Sequence, residues 1–442
     1  MAKVNSTNNL VVGMDIGTTK IATVIGYLND NNQIDILGFG TSESTGVEFG
    51  EIRNLNKTTD GIILANEMAV QRAKQPIESV CVGIAGHHIK TYKYNHILYR
   101  HGNNDPISDA EIEKLIDEVR HVTVNPGEEI IDVIPQYFIL DNKYNTTEPV
   151  GQLASVVTGF FQLITGNTVE INKIVRCVQN ANVDIREIIL EPIASGLACL
   201  NEEEKKQGVA LVDIGGGTTD IVIFYGGNPV FTKVIPIGGN IVTKDIATVC
   251  KISEDIAEKL KIKYGTCIVN ESNTANLITI PMPYGHEAVQ INEAYLAQII
   301  NSRVQEEIVN VVAKEIANSG YQNKLLAGLV ITGGGAELKH IKELFQYTLN
   351  MPIRKGVPEN GFARNVQAEL INPKYSTALG LLKYGLSQQE SQPVEEETKP
   401  KRQKKEKVKK DKESKNGRGI GGIFEGVGPF FDNLLENLNK LS

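Results

Sequence analysis

Residues 10–27 run apolar, break at Gly17-Thr18-Thr19, and run apolar again, with Val and Ile on both sides of the break. Such β-branched runs around a glycine turn predict strand, turn, strand. Residues 34–44 (IDILGFGTSES) continue the pattern as a third strand. From 56 to 75 the apolar positions recur at helical spacing behind Thr58, Thr59 and Asp60, which predicts a helix capped by a Thr or the Asp. Residues 79–86 (SVCVGIAG) return to a strand.

Between about 90 and 160 the texture changes. Residues 108–122 (SDAEIEKLIDEVRHV) predict a capped helix, while 129–140 and 154–164 predict strands. A small α+β unit is therefore expected as an insert. Helix, strand and helix follow at 169–183, 184–192 and 193–200. Residues 209–239 open a second half with strands and a glycine turn. Helices are expected at 240–250 and at 253–265, the latter capped near Ser253 or Glu254. A long helix over 294–320 ends at Gly320, and a strand over 325–332 leads into Gly333-Gly334-Gly335. Residues 376–385 predict a short closing helix.

From 387 to 418 apolar residues nearly vanish and Gln, Glu, Pro and Lys dominate, the composition of a disordered linker. Beyond it, Ile423, Phe424, Val427, Phe430, Phe431, Leu434, Leu435, Leu438 and Leu441 recur at steps of three and four. On a helix they form one apolar stripe opposite Asp432, Asn433, Glu436, Asn437 and Lys440, with Pro429 suited to the first turn. The stripe is too short to span a bilayer, so a helix lying in the membrane interface is expected; packing on its own domain or on a partner helix is the alternative.

The 442-residue length favours more than one domain. The five scattered cysteines contain no Cys-x-x-Cys pair, which argues against a zinc knuckle and fits a reducing cytosol. The first ten residues lack an apolar signal core, so secretion is not expected. The net charge of −8 conceals an asymmetry: residues 399–418 hold eleven Lys or Arg against three acids, a charge of +8, which leaves −16 on the rest. A basic segment on an acidic body points to a partner, and an anionic leaflet is attracted by about 1 kcal/mol per nearby cation. Nucleic acid is not the expected partner, because no aromatic residues are interleaved with the cations.

The candidate chemistry lies in a repeat. VGMDIGTTKIATVI (12–25) and LVDIGGGTTDIVIF (211–224) share Asp-Ile-Gly, a Thr pair and flanking strands, with Asp15 and Asp213 198 residues apart. Gly17, Gly215, Gly216 and Gly217 let a polyanion approach the backbone, whose turn N–H groups suit phosphate oxygens. Thr18, Thr19, Thr218 and Thr219 add hydroxyls, and Lys20 adds a point charge. Asp15 and Asp213 end matching strands, where carboxylates hold Mg²⁺ through its water shell. Each stretch taken singly is also readable as a plain tight hairpin. A dinucleotide fingerprint fits poorly, because a strand and not a helix follows the glycines, and the P-loop pattern is missing. Gly333, Gly334 and Gly335 admit a flat base or ribose beside a helix start.

Together DIGTTK, DIGGGTTD and GGGAEL resemble the phosphate and adenosine loops of the actin-like ATPase superfamily, over most of residues 10–385. The resemblance implies an α/β fold of two lobes built from ribonuclease-H-like subdomains around an ATP–Mg²⁺ cleft. It implies that Glu191 orients the attacking water and that Glu306, with Arg303 nearby, reaches the ribose. Their bland alternatives are a strand-end salt bridge for Glu191 and an i,i+3 surface pair for Arg303 and Glu306.

Within the superfamily, the lead-in VCVGIAGHHIKTYKYN, the segments PIASGLACL and PKYSTALGLLKYG, and the amphipathic tail resemble the FtsA family of bacterial cell-division proteins. The family pattern divides the chain into lobe I (10–85 and 163–207), an inserted IC subdomain (86–162), lobe II (208–245 and 311–386), subdomain IIB (246–310), a linker (387–418) and a membrane-targeting helix (419–442). It implies an actin-like filament on the cytoplasmic face of the membrane at the septum. That filament would bind the FtsZ C-terminal peptide on IIB, recruit other divisome proteins and act at most as a slow, switching ATPase. Unlike many such tails, this one carries acids within the helix and its basic charge in the linker. A PilM-like pilus or secretion scaffold and a sugar-kinase-type phosphotransferase are the competing readings.

Overall fold

A computed structural model of the chain describes residues 10–100, 105–280, 288–359, 361–363 and 366–391. The linker and the apolar stripe of the tail lie outside the described residues.

Lobe I begins with the meander β1 (Val11–Ile16), β2 (Lys20–Leu28) and β3 (Ile34–Glu43), followed by a small hairpin of β4 (Val47–Glu48) and β5 (Glu51–Ile52). Helix α1 (Leu55–Ala73) then leads to β6 (Ser79–Ile84). The α1 cap is Asn54, whose side chain accepts from the Lys57 N–H at 3.0 Å, and not Thr58, Thr59 or Asp60. Thr58 and Thr59 are buried one turn further in, so the helix starts earlier than its apolar spacing indicates.

The insert comprises β7 (Lys90–Tyr99), α2 (Asp109–Arg120), β8 (Glu128–Leu140), β9 (Tyr144–Thr146) and β10 (Val156–Asn167), in the sheet order β7-β10-β8-β9. Leu115 and Val119 of α2 pack on Val133, Phe138, Val157 and Phe161, giving the insert its own core. Strand β10 runs past the expected boundary at 162, because its pairing with β8 continues to Asn167. The insert also reaches lobe II: the side-chain amides of Gln136 and Gln162 donate to the Pro229 and Val230 carbonyls at 3.0 and 2.5 Å.

The predicted cap of α2 is a complete capping box between Ser108 and Glu111. Arg100 clamps the same glutamate, with Nε donating to Oε1 at 2.7 Å and Nη2 to Oε2 at 3.2 Å. The hydrogen bonds from Arg100, then those from Ser108, hold the Glu111 carboxyl down at about 2. A depressed carboxylate stabilises the fold above its ordinary value of 4.5, and that stabilisation fades as pH falls toward about 2. Glu111→Gln is therefore expected to lower urea stability at about pH 7, with the gap to wild type narrowing steadily below about pH 4.5. A gap that stays constant down to about pH 3 would contradict this.

The chain re-enters lobe I through α3 (Thr168–Asn180) and β11 (Asp184–Leu190), then crosses by α4 (Glu191–Cys199) and α5 (Glu202–Gln207) to lobe II. There β12 (Val209–Ile214), β13 (Thr219–Tyr225) and β14 (Asn228–Ile235) form a second meander. Helices α6 (Gly239–Cys250) and α7 (Glu254–Tyr264) precede a two-stranded unit, β15 (Leu277–Ile280) with β16 (Val289–Asn292). The predicted long helix is α8 (Glu293–Arg303) and α9 (Asn310–Asn318), joined by a π-helical turn at Val304–Val309. The last elements are β17 (Leu329–Thr332), α10 (Ile341–Leu349), β18 (Ile353–Lys355) and α11 (Ser376–Ser391). The expected boundaries at 245/246 and 310/311 fall within α6 and the long helix.

The two main sheets repeat one topology: β11-β6-β1-β2-β3 in lobe I and β14-β13-β12-β17-β18 in lobe II. Strand β1 pairs antiparallel with β2 and parallel with β6, as β12 pairs with β13 and β17. Both β1 and β12 are buried along their whole length, which is why they read as continuous apolar runs. Helix α11 packs Ala378, Leu379, Leu381 and Leu382 on the lobe I sheet at Val11, Ala22 and Val24.

Candidate functional site

A cavity of about 540 Å³ opens between the lobes. Of the residues singled out in the sequence, Asp15, Gly17, Thr18, Thr19, Lys20, Glu191, Asp213, Gly215, Gly216, Gly217, Thr218, Gly333, Gly334 and Gly335 line it. Thr219 and Glu306 do not.

The two hairpin turns are equivalent, but in a different register from the one the Thr pairs suggest. Gly17 N–H donates to the Lys20 carbonyl at 3.0 Å, and Gly215 N–H to the Thr218 carbonyl at 2.9 Å. In the paired strands Asp15 faces Ala22, and Asp213 faces Asp220. Lys20 therefore corresponds to Thr218, Ile21 to Thr219 and Ala22 to Asp220. Thr219 is buried in β13 and donates to the Ile237 carbonyl at 2.7 Å, so its hydroxyl is spent inside lobe II.

The same register puts the threonines of one turn against the glycines of the other. A Cβ on Gly216 would lie 2.2 Å from Thr19 Cγ2, and one on Gly217 would lie 2.5 Å from Thr18 Oγ1. Bare backbone in the second turn is thus the space that the first turn's side chains occupy. The β4–β5 hairpin closes over both turns: Gly50 N–H donates to Thr18 Oγ1 at 3.1 Å. Among the described residues, the N–H groups of Thr18, Thr19, Gly216 and Gly217 donate to no protein acceptor. Turns with outward N–H groups of this kind bind anions.

The cleft floor is acidic. Asp15 pairs with Lys20, Nζ to Oδ2, at 2.5 Å. Burial opposes the Lys20 charge, yet Asp15 outweighs it and raises the amine. Burial pushes Asp213 up, with Ser195 opposing the rise. Burial, then Asp213 and Asp15, push Asp220 well up, and one of its carboxyl oxygens is buried without a partner. Burial, then Asp15, Asp220 and Asp213, push Glu191 well above the usual carboxylate range. Four acids around one lysine make a site that gains from added positive charge. Among the described residues no three His, Cys, Asp or Glu side chains converge on a metal position. Asp15 and Asp213 present carboxylate oxygens at this cleft, the donor type by which hydrated Mg²⁺ is generally held.

Glu306 is exposed because Val304 and Ile308, one turn apart, face the cleft, and a residue two positions from each points away. Arg303 turns instead to Asp245, with Nη2 donating to Oδ1 at 3.0 Å, and to Glu307 at 3.4 Å. The acid and base at that end of the cleft come from α7, where Lys261 meets Glu258 at 2.6 Å and donates to the Gly239 carbonyl at 3.0 Å. Their i,i+3 spacing was visible in the sequence, but their position over the cleft was not. Asp220, also missed, closes the DIGGGTTD motif itself.

Two sheets of one topology, with facing hairpin turns over a shared cleft, define an actin-like ATPase fold. Among solved structures the chain is similar to the PilM–PilN type IV pilus biogenesis complex, at 15% identity and TM-score 0.61, covering 85% of this chain and 98% of that one. It is also similar to MreB 5 of Spiroplasma citri bound to AMPPNP, at 14% identity and TM-score 0.51, covering 87% and 98%. The family model described as "Cell division protein FtsA" matches residues 210–380, and "SHS2 domain inserted in FTSA" matches residues 86–165. Cell division protein FtsA of Borreliella burgdorferi is 36% identical over 383 residues, 86% of this chain and 92% of that protein. The chain belongs to the FtsA family of cell division proteins.

Proposed function

We propose that this FtsA-family chain binds ATP–Mg²⁺ between its lobes, forms actin-like filaments, and ties FtsZ and other divisome proteins to the cytoplasmic face of the membrane. The observation that carries the nucleotide reading is the pair of facing turns with unpaired N–H groups above an acidic floor. The relative of known structure bound to AMPPNP supports the same assignment. The turns and Lys20 would hold the phosphates. Glu258 and Lys261 would take the ribose, in place of Glu306, and Gly333–Gly335 would take the base. Asp15 and Asp213 would hold Mg²⁺ through water, and the ion would neutralise phosphate charge. Glu191 is assigned to orient the attacking water.

The tether reading rests on family membership and on the tail sequence. Among the described residues no helix is long and apolar enough to cross a membrane. The apolar stripe at 423–441 and the +8 charge at 399–418 supply an interfacial anchor and an attraction to anionic lipid. Full-length protein is expected to float with anionic liposomes in ATP, while a chain ending at residue 386 stays behind. Equal flotation of the two would sink the tether. The FtsZ C-terminal peptide is expected to bind both. Its failure to bind, with nucleotide binding intact, would favour a PilM-like scaffold.

A further inference from the structure

Asp213 ends a lobe II strand, yet the hydroxyls that hold it come from the two helices on which the chain passes between lobes. Ser195 on α4 donates to Asp213 Oδ2 at 2.6 Å, and Thr377 on α11 reaches the same oxygen at 3.2 Å. The two hydroxyl oxygens are 3.0 Å apart. Each hydroxyl has one hydrogen, so Ser195 gives its own to Asp213, and Thr377 shares its hydrogen between Asp213 and Ser195. Ser195 is fully buried, out of reach of bulk solvent.

The other carboxylate oxygen has different surroundings. Asp213 Oδ1 lies against Gly333, where a Cβ would stand only 2.2 Å away. One oxygen is thus bound to the inter-lobe helices, and the other is left beside the glycine loop at the cleft. The hydroxyls also stand at the point where those helices meet. A Cβ on Gly380 would lie 1.8 Å from the Ala194 carbonyl oxygen, one residue before Ser195.

We infer that Ser195 and Thr377 are positioning residues that fix the rotamer of Asp213, so that it presents one oxygen to the hydrated cation of a bound nucleotide. Because both hydroxyls belong to the connecting helices, the aim of that oxygen follows the angle between the lobes. The inference rests on the ATP–Mg²⁺ reading above and adds the residues that make the cation site sensitive to lobe position. A purely structural role would also satisfy the buried carboxylate, but it would carry no specific dependence on Mg²⁺.

The test is ATP affinity of the full chain measured in a Mg²⁺ series and in EDTA, with the thermal midpoint of the nucleotide-free protein measured alongside. Ser195→Ala is expected to raise the Mg²⁺ concentration for half-maximal stimulation of binding about tenfold, the usual effect of one hydrogen bond to a charged group. Thr377→Val should raise it about threefold, and Thr377→Ser, which keeps the hydroxyl, should match wild type. Affinity in EDTA should stay within about twofold throughout. An equal loss with and without Mg²⁺ would mark a structural role and overturn the inference. So would an unchanged Mg²⁺ requirement in Ser195→Ala, or a Thr377→Ser variant as impaired as Thr377→Val. Wild-type protein that binds no ATP would overturn the nucleotide reading itself, and this inference with it.

Discussion

Gly216→Val is expected to lower ATP affinity by about a hundredfold or more while leaving the fold intact. The first atom a side chain meets at 216 is Thr19 Cγ2, at 2.2 Å, in the opposing turn. Asn240 Oδ1 follows at 3.2 Å. A branched residue must push the two turns apart, and the N–H groups of both then lose their common focus. Losing two hydrogen bonds to a charged phosphate is enough for about a hundredfold. The check is equilibrium titration with a fluorescent ATP analogue, beside thermal melting of the nucleotide-free protein. Unchanged affinity would refute the facing-turn cradle. A second-site test sharpens it: Thr19→Ser removes the clashing methyl, so Gly216→Ala with Thr19→Ser should bind better than Gly216→Ala alone.

Gly380→Ala should destabilise the whole core, against the ordinary expectation for a helix. Replacing glycine by alanine inside a helix normally contributes about 1 kcal/mol of stability. Here the new Cβ would stand 1.8 Å from the Ala194 carbonyl oxygen and 2.3 Å from its carbon. Those are backbone atoms of a second helix, and no rotamer change relieves them. The helices must separate, which costs about 3 kcal/mol or more in a packed interior and reverses the sign. A urea midpoint well below wild type is the expected result; a midpoint at or above wild type would show that the crossing has slack. Because Ser195 and Thr377 stand beside this crossing, the variant should also weaken Mg²⁺-dependent binding in whatever fraction remains folded.

Much of the site was legible because its signals are local. Asp-Ile-Gly before a turn, three consecutive glycines after Thr332 and the capping box at Ser108 each depend on a few neighbouring residues. Misreadings arose where a short pattern had to be placed in space. The two Thr pairs look equivalent in sequence, but the ladder pairs Ile16 with Ile21 and Ile214 with Thr219, which shifts the match by two residues. Glu306 lies in the right helix and on the wrong face, because the cleft takes Val304 and Ile308. The start of α1 lies earlier because Asn54, ahead of the apolar pattern, caps the helix by accepting from the Lys57 N–H in its first turn.

The sequence by itself determined the strand–turn–strand repeat, the acids at the strand ends, the existence of the insert and the charge contrast between body and linker. These follow from side-chain period, turn chemistry and composition, which act over a few residues. Only the tertiary structure decided that Thr18 and Thr19 fill the space left by Gly216 and Gly217, that Glu258 and Lys261 stand at the cleft, and that Ser195 and Thr377 hold Asp213. Each of these joins residues from separate elements, and Thr377 lies 164 positions from the carboxylate it touches. Strand register and helix crossing set such meetings, and no short stretch of sequence encodes them.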